Sequence, residues 1–464
     1  MVKIGQIGLL HVTFLIMTFI GLKNHVTILP PVLEHVKRDG WASVLLATIL
    51  TIPWLFLILF IQNKSKKQSI KIWLKSKIGK FATNIILYFV VFFIFLMAAF
   101  TLRETILWIS STFLPYTPKL LLLAVYITLC TFLASSNIQT FVIVNTFVLL
   151  FVVVFGFYVA IVNIQVKEYD LIRPFFEHGF GPVLRGLVYP ASGFIELFLL
   201  VFIQQHFKSK LKWYHLVIML FILMGLTMGP LLGAIVEFGP EEAAKQRYPA
   251  FEEWALVSIG SFIEQMDFLS IYQWLTGTFI RVSFLLFIAA DILNFTGNRK
   301  KIWNYMIPPF MILNLVVFLL DDSLFLHLNG NEMLIAAFVF FLGLSILFSL
   351  IALLPDRKNK KQKQSGSNQN NNQNNNQSNQ NQSDNQQNNN QNNNQSNQNQ
   401  SDNQQNNNQN NNQSDQNQGN NQQQDNNQEN HSPDHNQDQN QSTNNQDQNQ
   451  GNDSPEKNQS ESSE

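Results

Sequence analysis

Residues 183–206 read VLRGLVYPASGFIELFLLVFIQQH, an apolar run with one carboxylate, Glu196, near its middle. A hydrocarbon core about 30 Å thick needs roughly 20 mostly apolar residues per helix, so the run is long enough to span a membrane. A carboxylate at that depth costs free energy unless it is paired or faces water. Just before it, Pro190 lacks an amide proton and Gly193 weakens helix. The stretch therefore predicts an unwound point, with a new half-helix beginning near Gly193 and Glu196 in its first turn. Free amides there suit a ligand carboxylate and Glu196 suits an ammonium, so the pair fits a zwitterion such as an amino acid. The competing reading is a structural ion pair of Glu196 with Lys23 or Arg103.

Working outward, similar apolar runs recur near 6–32, 42–62, 82–108, 117–134, 139–162, 213–236, 262–292, 303–320 and 332–354, giving an all-α polytopic fold of about ten spans. The first is not a cleavable signal peptide: it has no small-residue cleavage site and is followed by Pro30-Pro31. It carries its own irregularity, Gly21-Leu22-Lys23-Asn24-His25. Breaks in spans one and six, five helices apart, predict a five-plus-five inverted repeat around a central site. The candidate ligand-binding residues are Gly21, Lys23, Asn24, Ser192, Gly193 and Glu196, while His25 is expected to bond a neighbouring backbone.

Orientation follows from lysine and arginine. Lys64 to Lys80, Lys208 to Lys212, Arg299 to Lys301 and Arg357 to Lys363 fall on one side of a ten-span chain, whereas the alternate loops are acidic or mixed. Both termini are then cytoplasmic. No Ala, Val, Ile, Leu, Met, Phe, Trp, Tyr or Cys follows Leu354, so the 46% hydrophobic content belongs to a 1–355 membrane domain. The formal charge of zero divides into about +7 up to Pro355 and about −7 beyond it. Residues 356–464 form a cytoplasmic tail rich in Asn, Gln, Ser and Asp, in which 377–394 recurs identically at 395–412. With no apolar surface to bury, the tail is expected to be disordered.

Among the remaining membrane-depth polar groups, Arg103 and Glu104 lie about 100° apart on one helix and are expected to serve different neighbours. In span eight Glu264, Asp267, Ile271 and Trp274 follow 3-4-3 spacing, with Thr278 and Arg281 near the same stripe. Arg281 is about 21 Å from Asp267 along the axis, so it lies deep while the acids sit near the outer mouth. Arg103, Glu104, Glu264, Asp267, Trp274 and Arg281 are candidates for coupling or structural pairing. The acidic, then amphipathic segment from Pro240 to Gly260 predicts a short outer helical lid whose charges form a solvated face.

Lone Cys130 excludes an intramolecular disulfide, a redox pair or a cysteine-based zinc site. No phosphate loop, nucleophile elbow, metal-spaced His pair or basic soluble domain is present, so nucleotide hydrolysis, other enzyme chemistry, cofactor or metal use, and nucleic-acid binding all lack a basis in the sequence.

The order and spacing of three motifs carry a resemblance: Pro30 with Asp39-Gly40-Trp41-Ala42-Ser43; Arg173-Pro174-Phe175-Phe176-Glu177-His178-Gly179 leading to Gly186 and Glu196; and Phe262-Ile263-Glu264-Gln265-Met266-Asp267 with Trp274. Over about residues 5–355 the chain resembles the permease-like B subunit of bacterial spore germinant receptors, a branch of the amino acid–polyamine–organocation superfamily. The resemblance implies a five-plus-five fold in the inner membrane of a spore-forming bacterium and recognition of a small germinant, an amino acid or nucleoside. It also implies a complex with a channel-forming A subunit and a lipoprotein C subunit. Lys23-Asn24-His25 departs from the family pattern, and a cation there favours an anionic ligand group or partly neutralises Glu196. An ion-coupled amino acid transporter is the alternative function.

Overall fold

The structure is a computed structural model that describes residues 5–258 and 266–355. Glu264 and the 356–464 tail, including its expected disorder, lie outside the described residues.

Among those residues the regular elements are helices. In chain order they are α1 (Leu9–Leu22), α2 (Leu29–Val36), α3 (Gly40–Ser65), α4 (Ile70–Ile78), α5 (Lys80–Thr112), α6 (Lys119–Ala134), α7 (Ile138–Val162), α8 (Phe180–Gly186) and α9 (Val188–Phe194). There follow α10 (Trp213–Phe238), α11 (Pro240–Ala243), α12 (Pro249–Ala255), α13 (Phe268–Leu293), α14 (Arg299–Lys301), α15 (Ile307–Phe318), α16 (Asp322–His327) and α17 (Met333–Leu353). Eight helical runs of the described residues are long and apolar enough to cross a membrane. The first, Leu9–Ser65, is 57 residues long and turns at Lys37-Arg38-Asp39, where Lys37 adopts a φ of 52°. The 16-residue α6 is shorter and apolar.

The two irregular spans are not unwound. After α1 the backbone widens into a π-helical turn over Lys23–Thr27, and Pro30 and Pro31 then occupy the first turn of α2, where a missing amide proton costs nothing. In span six α9 passes through Pro190 and Gly193 and tightens at Ile195 into a 3-10 helix that runs to His206. The expected half-helix start near Gly193 is therefore corrected to a change of winding. Proline and glycine did not free amides here, because Pro190 lies in the first turn of a short helix and the backbone around Gly193 stays right-handed.

Residues 192–206 and the 280–290 stretch of α13 lie inside the bundle, whereas α7 keeps an apolar outer face bearing Phe147, Val154 and Phe157. Such a face suits lipid better than water. The basic loops meet on one side: Lys67 Nζ donates to the Phe207 carbonyl, Lys71 Nζ to Ile292 and Lys77 Nζ to Leu354. On the other side Lys37 pairs with Glu241 at 2.9 Å, and Arg38 pairs with Glu177.

Candidate functional site

Glu196 has no exposed surface, and two cations enclose its carboxylate. Lys23 Nζ, delivered by the π-helical turn, lies 2.8 Å from Oε1; Arg281 of α13 adds a fork, with Nη1 2.8 Å from Oε2 and Nη2 3.0 Å from Oε1. Lys23 Nζ also donates to the Ser192 carbonyl at 2.9 Å, and Arg281 Nη1 to the Phe19 carbonyl at 2.7 Å. Changes of helix winding aim these groups. A π-turn spreads more residues around each turn and rotates Lys23 toward span six, while the tighter 3-10 coil turns Glu196 back toward span one. Burial of an unpaired carboxylate is prohibitive, and a bidentate guanidinium with a point ammonium satisfies it on both oxygens.

The sum of this buried group is one positive charge more than negative. Lys23 commits two of its three N–H groups to the bonds described, and its side chain borders a small cavity of about 30 Å³. The opposite wall carries Glu104, whose Oε2 accepts from Thr27 Oγ1 at 2.8 Å and whose Oε1 is 3.1 Å from Arg247. A water needs about 10–15 Å³ of such space, so the cavity takes a water or two and no amino acid.

The other expected ligand residues form the walls behind this centre. Asn24 donates to Thr227 Oγ1 at 2.9 Å, and its Oδ1 lies where a Cβ on Gly193 would stand, 2.0 Å from that position. Ser192 Oγ returns to the Tyr189 carbonyl at 2.7 Å. Gly21 borders a different, larger cavity with His25, whose ring meets the Leu226 carbonyl at 3.1 Å.

Arg103 is not a partner of Glu196: it donates to Asp322 at 2.8 Å and to the carbonyls of Val317 and Leu320. Arg103 and Glu104 do face different neighbours. Asp267 is not within the eighth helix but stands at its N-cap, where its carbonyl accepts from Ser270. The expected helical stripe from Glu264 therefore begins only at Phe268 among the described residues. Trp274 stacks on Trp108 with ring centroids 4.0 Å apart and donates to Thr105 Oγ1 at 3.2 Å.

Sequence reasoning missed Arg281 as the guanidinium of this centre and Arg247 as the partner of Glu104. Arg281 was legible as a deep cation without a helical partner, but its facing residue belongs to a helix 85 positions away. The expected solvated face of the 240–260 segment fails at Glu253, which is buried, and at Arg247, which reaches inward. Glu253 stands next to Trp254, and a carboxylate abutting a large aromatic was the available signal.

Eight long apolar helical runs among the described residues, packed around a buried, charged centre, mark a multi-pass membrane protein. The family model described as a spore germination protein matches residues 6–326, and the chain belongs to this spore germination permease family. It is 37% identical over 345 residues to spore germination protein XB of Bacillus anthracis, covering 74% of this chain and 96% of that one. Putative spore germination protein YfkT of Bacillus subtilis is 26% identical over 60% of this chain and 76% of its own, and spore germination protein A2 of the same species 24% over 37% and 47%. A second model, for the transmembrane domain of a vacuolar membrane protease, matches residues 254–464, less than half of the chain and mostly the Asn/Gln-rich tail. The chain is thus a membrane subunit of spore germination, in a family that is permease-like rather than enzymatic.

Proposed function

We propose that this subunit senses a small nutrient germinant, an amino acid or nucleoside, at mid-membrane and passes the signal to a channel-forming A subunit and a lipoprotein C subunit. The reading includes ten spans in a five-plus-five repeat, with the Leu9–Ser65 run counted as two and α6 added, and both termini cytoplasmic. The mutual contacts of the lysine-rich loops support that sidedness.

One observation carries the site: a buried centre of two cations and one carboxylate, sharing a small cavity with Glu104. Its polarity differs from the sequence expectation. Glu196 is saturated by Lys23 and Arg281, and no free amides stand beside it. The ligand's anionic group completes the excess charge at Lys23 and Arg281, and an ammonium turns to Glu104. Glu196 acts as the positioning residue for both cations. Since the cavity is smaller than any such ligand, binding must part the walls, and that displacement is what the partner subunits read.

Lys23→Met is the test. It leaves the Arg281–Glu196 fork intact, so protein level in the spore membrane should hold while the germinant concentration for half-maximal response rises at least about tenfold, the weight of one charge-assisted bond. Unchanged sensitivity at normal level removes the centre from recognition. In proteoliposomes the purified chain should accumulate no labelled amino acid under a proton or sodium gradient; accumulation would favour the ion-coupled transporter.

A further inference from the structure

A second, much larger cavity of about 580 Å³ lies between α7 and α10, floored by α1 and roofed by α12. Its walls are mostly apolar, and it shares Leu22, Val26 and Trp274 with the small cavity, from which these side chains separate it. Along α10, Gly225 and Gly229 face it with open space where a side chain would stand, and Phe157 of α7 at its edge is 66% exposed. The space therefore runs from the outer cap down toward mid-membrane and opens beside an apolar, lipid-suited helix face.

One acid sits in this space. Glu253 is 8% exposed, and its Oε1 has no hydrogen-bond partner among the described residues. The carboxyl lies against the backbone of Gly233, with Oε1 2.8 Å from where a Cβ there would be. Glu237 is occupied otherwise, by Asn163 at 3.0 Å and Lys167 at 3.4 Å, so the nearest cation is already committed. The same cavity is lined by Trp254, Phe251, Tyr248 and Trp274. A buried carboxyl with one oxygen left without a donor, in a largely apolar space that also carries aromatic rings, matches one chemistry: a cationic head with N–H groups on an apolar body.

We infer that the cavity between α7 and α10 is a binding site for a primary ammonium carrying an apolar body, its head held by Glu253 and its body laid along Gly225 and Gly229. The site is separate from the Lys23–Glu196–Arg281 centre and does not rest on that reading. Two sources offer this chemistry, a soluble alkyl- or arylammonium and the headgroup of phosphatidylethanolamine. Burial and the nearby Glu237 hold the Glu253 carboxyl well above the ordinary glutamate range, against the opposing pull of Lys167 and of a backbone hydrogen bond from Ala234. Docking of an ammonium thus expels the Glu253 proton to solvent. Affinity should rise with pH until that carboxyl is ionised, with Glu237, Lys167, Tyr248 and His25 the titratable groups around it.

The full chain in phosphatidylcholine nanodiscs is titrated with phenethylamine and, separately, with phenethyl alcohol, and intrinsic tryptophan emission, to which Trp254 and Trp274 at the cavity contribute, is followed. The amine should shift emission saturably and the alcohol at least tenfold more weakly. Glu253→Gln should weaken the amine at least tenfold, and Gly229→Leu, which places a side chain in open space on a helix, should abolish the shift. Lys23→Met should leave it unchanged. Equal response to amine and alcohol, or an undiminished response in Glu253→Gln, overturns the inference. Loss of the response in Lys23→Met also overturns it, by assigning the amine to the inner centre and leaving the germinant reading standing. In phosphatidylethanolamine nanodiscs a raised midpoint identifies the lipid headgroup as an occupant, and an unchanged midpoint identifies the soluble amine; either supports the ammonium chemistry.

Discussion

The two cavities treat buried charge in opposite ways. Around Glu196, three charged groups consume one another in a space for a water or two; around Glu253, a single carboxyl stands at the head of about 580 Å³ with one oxygen unpartnered. A paired carboxylate can stay ionised in the interior and fix the geometry of its neighbours. An unpaired one takes up a proton instead and waits for a cation. The difference is one of pairing and of space: the inner centre is filled by its own charges, whereas the larger cavity keeps room beside its acid.

The largest effect is expected of Glu196→Gln. It strands Lys23 and Arg281 without a counter-charge, an effect on the order of 3–5 kcal/mol, and should deplete the protein from the membrane as measured by immunoblot and thermal unfolding. The triple change Lys23→Met, Glu196→Gln, Arg281→Gln should recover the level without recovering the germinant response. Full level in the single variant would mean that the three groups are not mutually dependent. Gly193→Ala comes next. Its methyl would fall 2.0 Å from Asn24 Oδ1 at the contact of spans one and six, so a loss of about 1–3 kcal/mol is expected in the unfolding midpoint.

The outer carboxyl predicts a pH signature of the opposite sign from a salt-bridged acid. With the folded-state value of Glu253 raised, its contribution is fully present below the ordinary glutamate range and is lost as pH rises toward the folded value. The thermal midpoint of the wild-type chain should therefore fall, as pH rises above the ordinary glutamate range, by more than that of Glu253→Gln, and parallel curves would contradict a neutral buried acid. The smallest effect belongs to the rim. Asp322 is more than half exposed, so Asp322→Asn should cost about 1 kcal/mol or less, with Arg103 keeping the Val317 and Leu320 carbonyls.

Much of the scaffold was readable in advance, since the expected apolar spans fall on helical residues, although 6–32 and 183–206 each divide into several helical pieces and 262–292 is helical among the described residues only from Phe268. Hydropathy over twenty residues is a local property, and the bilayer makes it decisive. Lys23 and Glu196 were likewise visible, as charges that an apolar run fails to exclude. Arg281 and Arg247 were visible as residues but not as partners, because Glu196 and Glu104 reach them across the bundle from remote parts of the chain. Winding was misread for a related reason. Pro190 and Gly193 weaken a helix in isolation, yet packing on every side keeps the 188–206 backbone coiled and converts the weakness into a 3-10 segment.

By itself, then, the sequence determined the membrane-spanning class, the placement of the helices, the lysine-rich side and the presence of a charged centre in spans one and six, since each follows from which residues water or hydrocarbon accepts. Tertiary structure alone decided which charges meet, that Glu196 is already neutralised while Glu253 is not, and where empty space remains. Those facts depend on distances between helices far apart in the chain, and no local pattern encodes them.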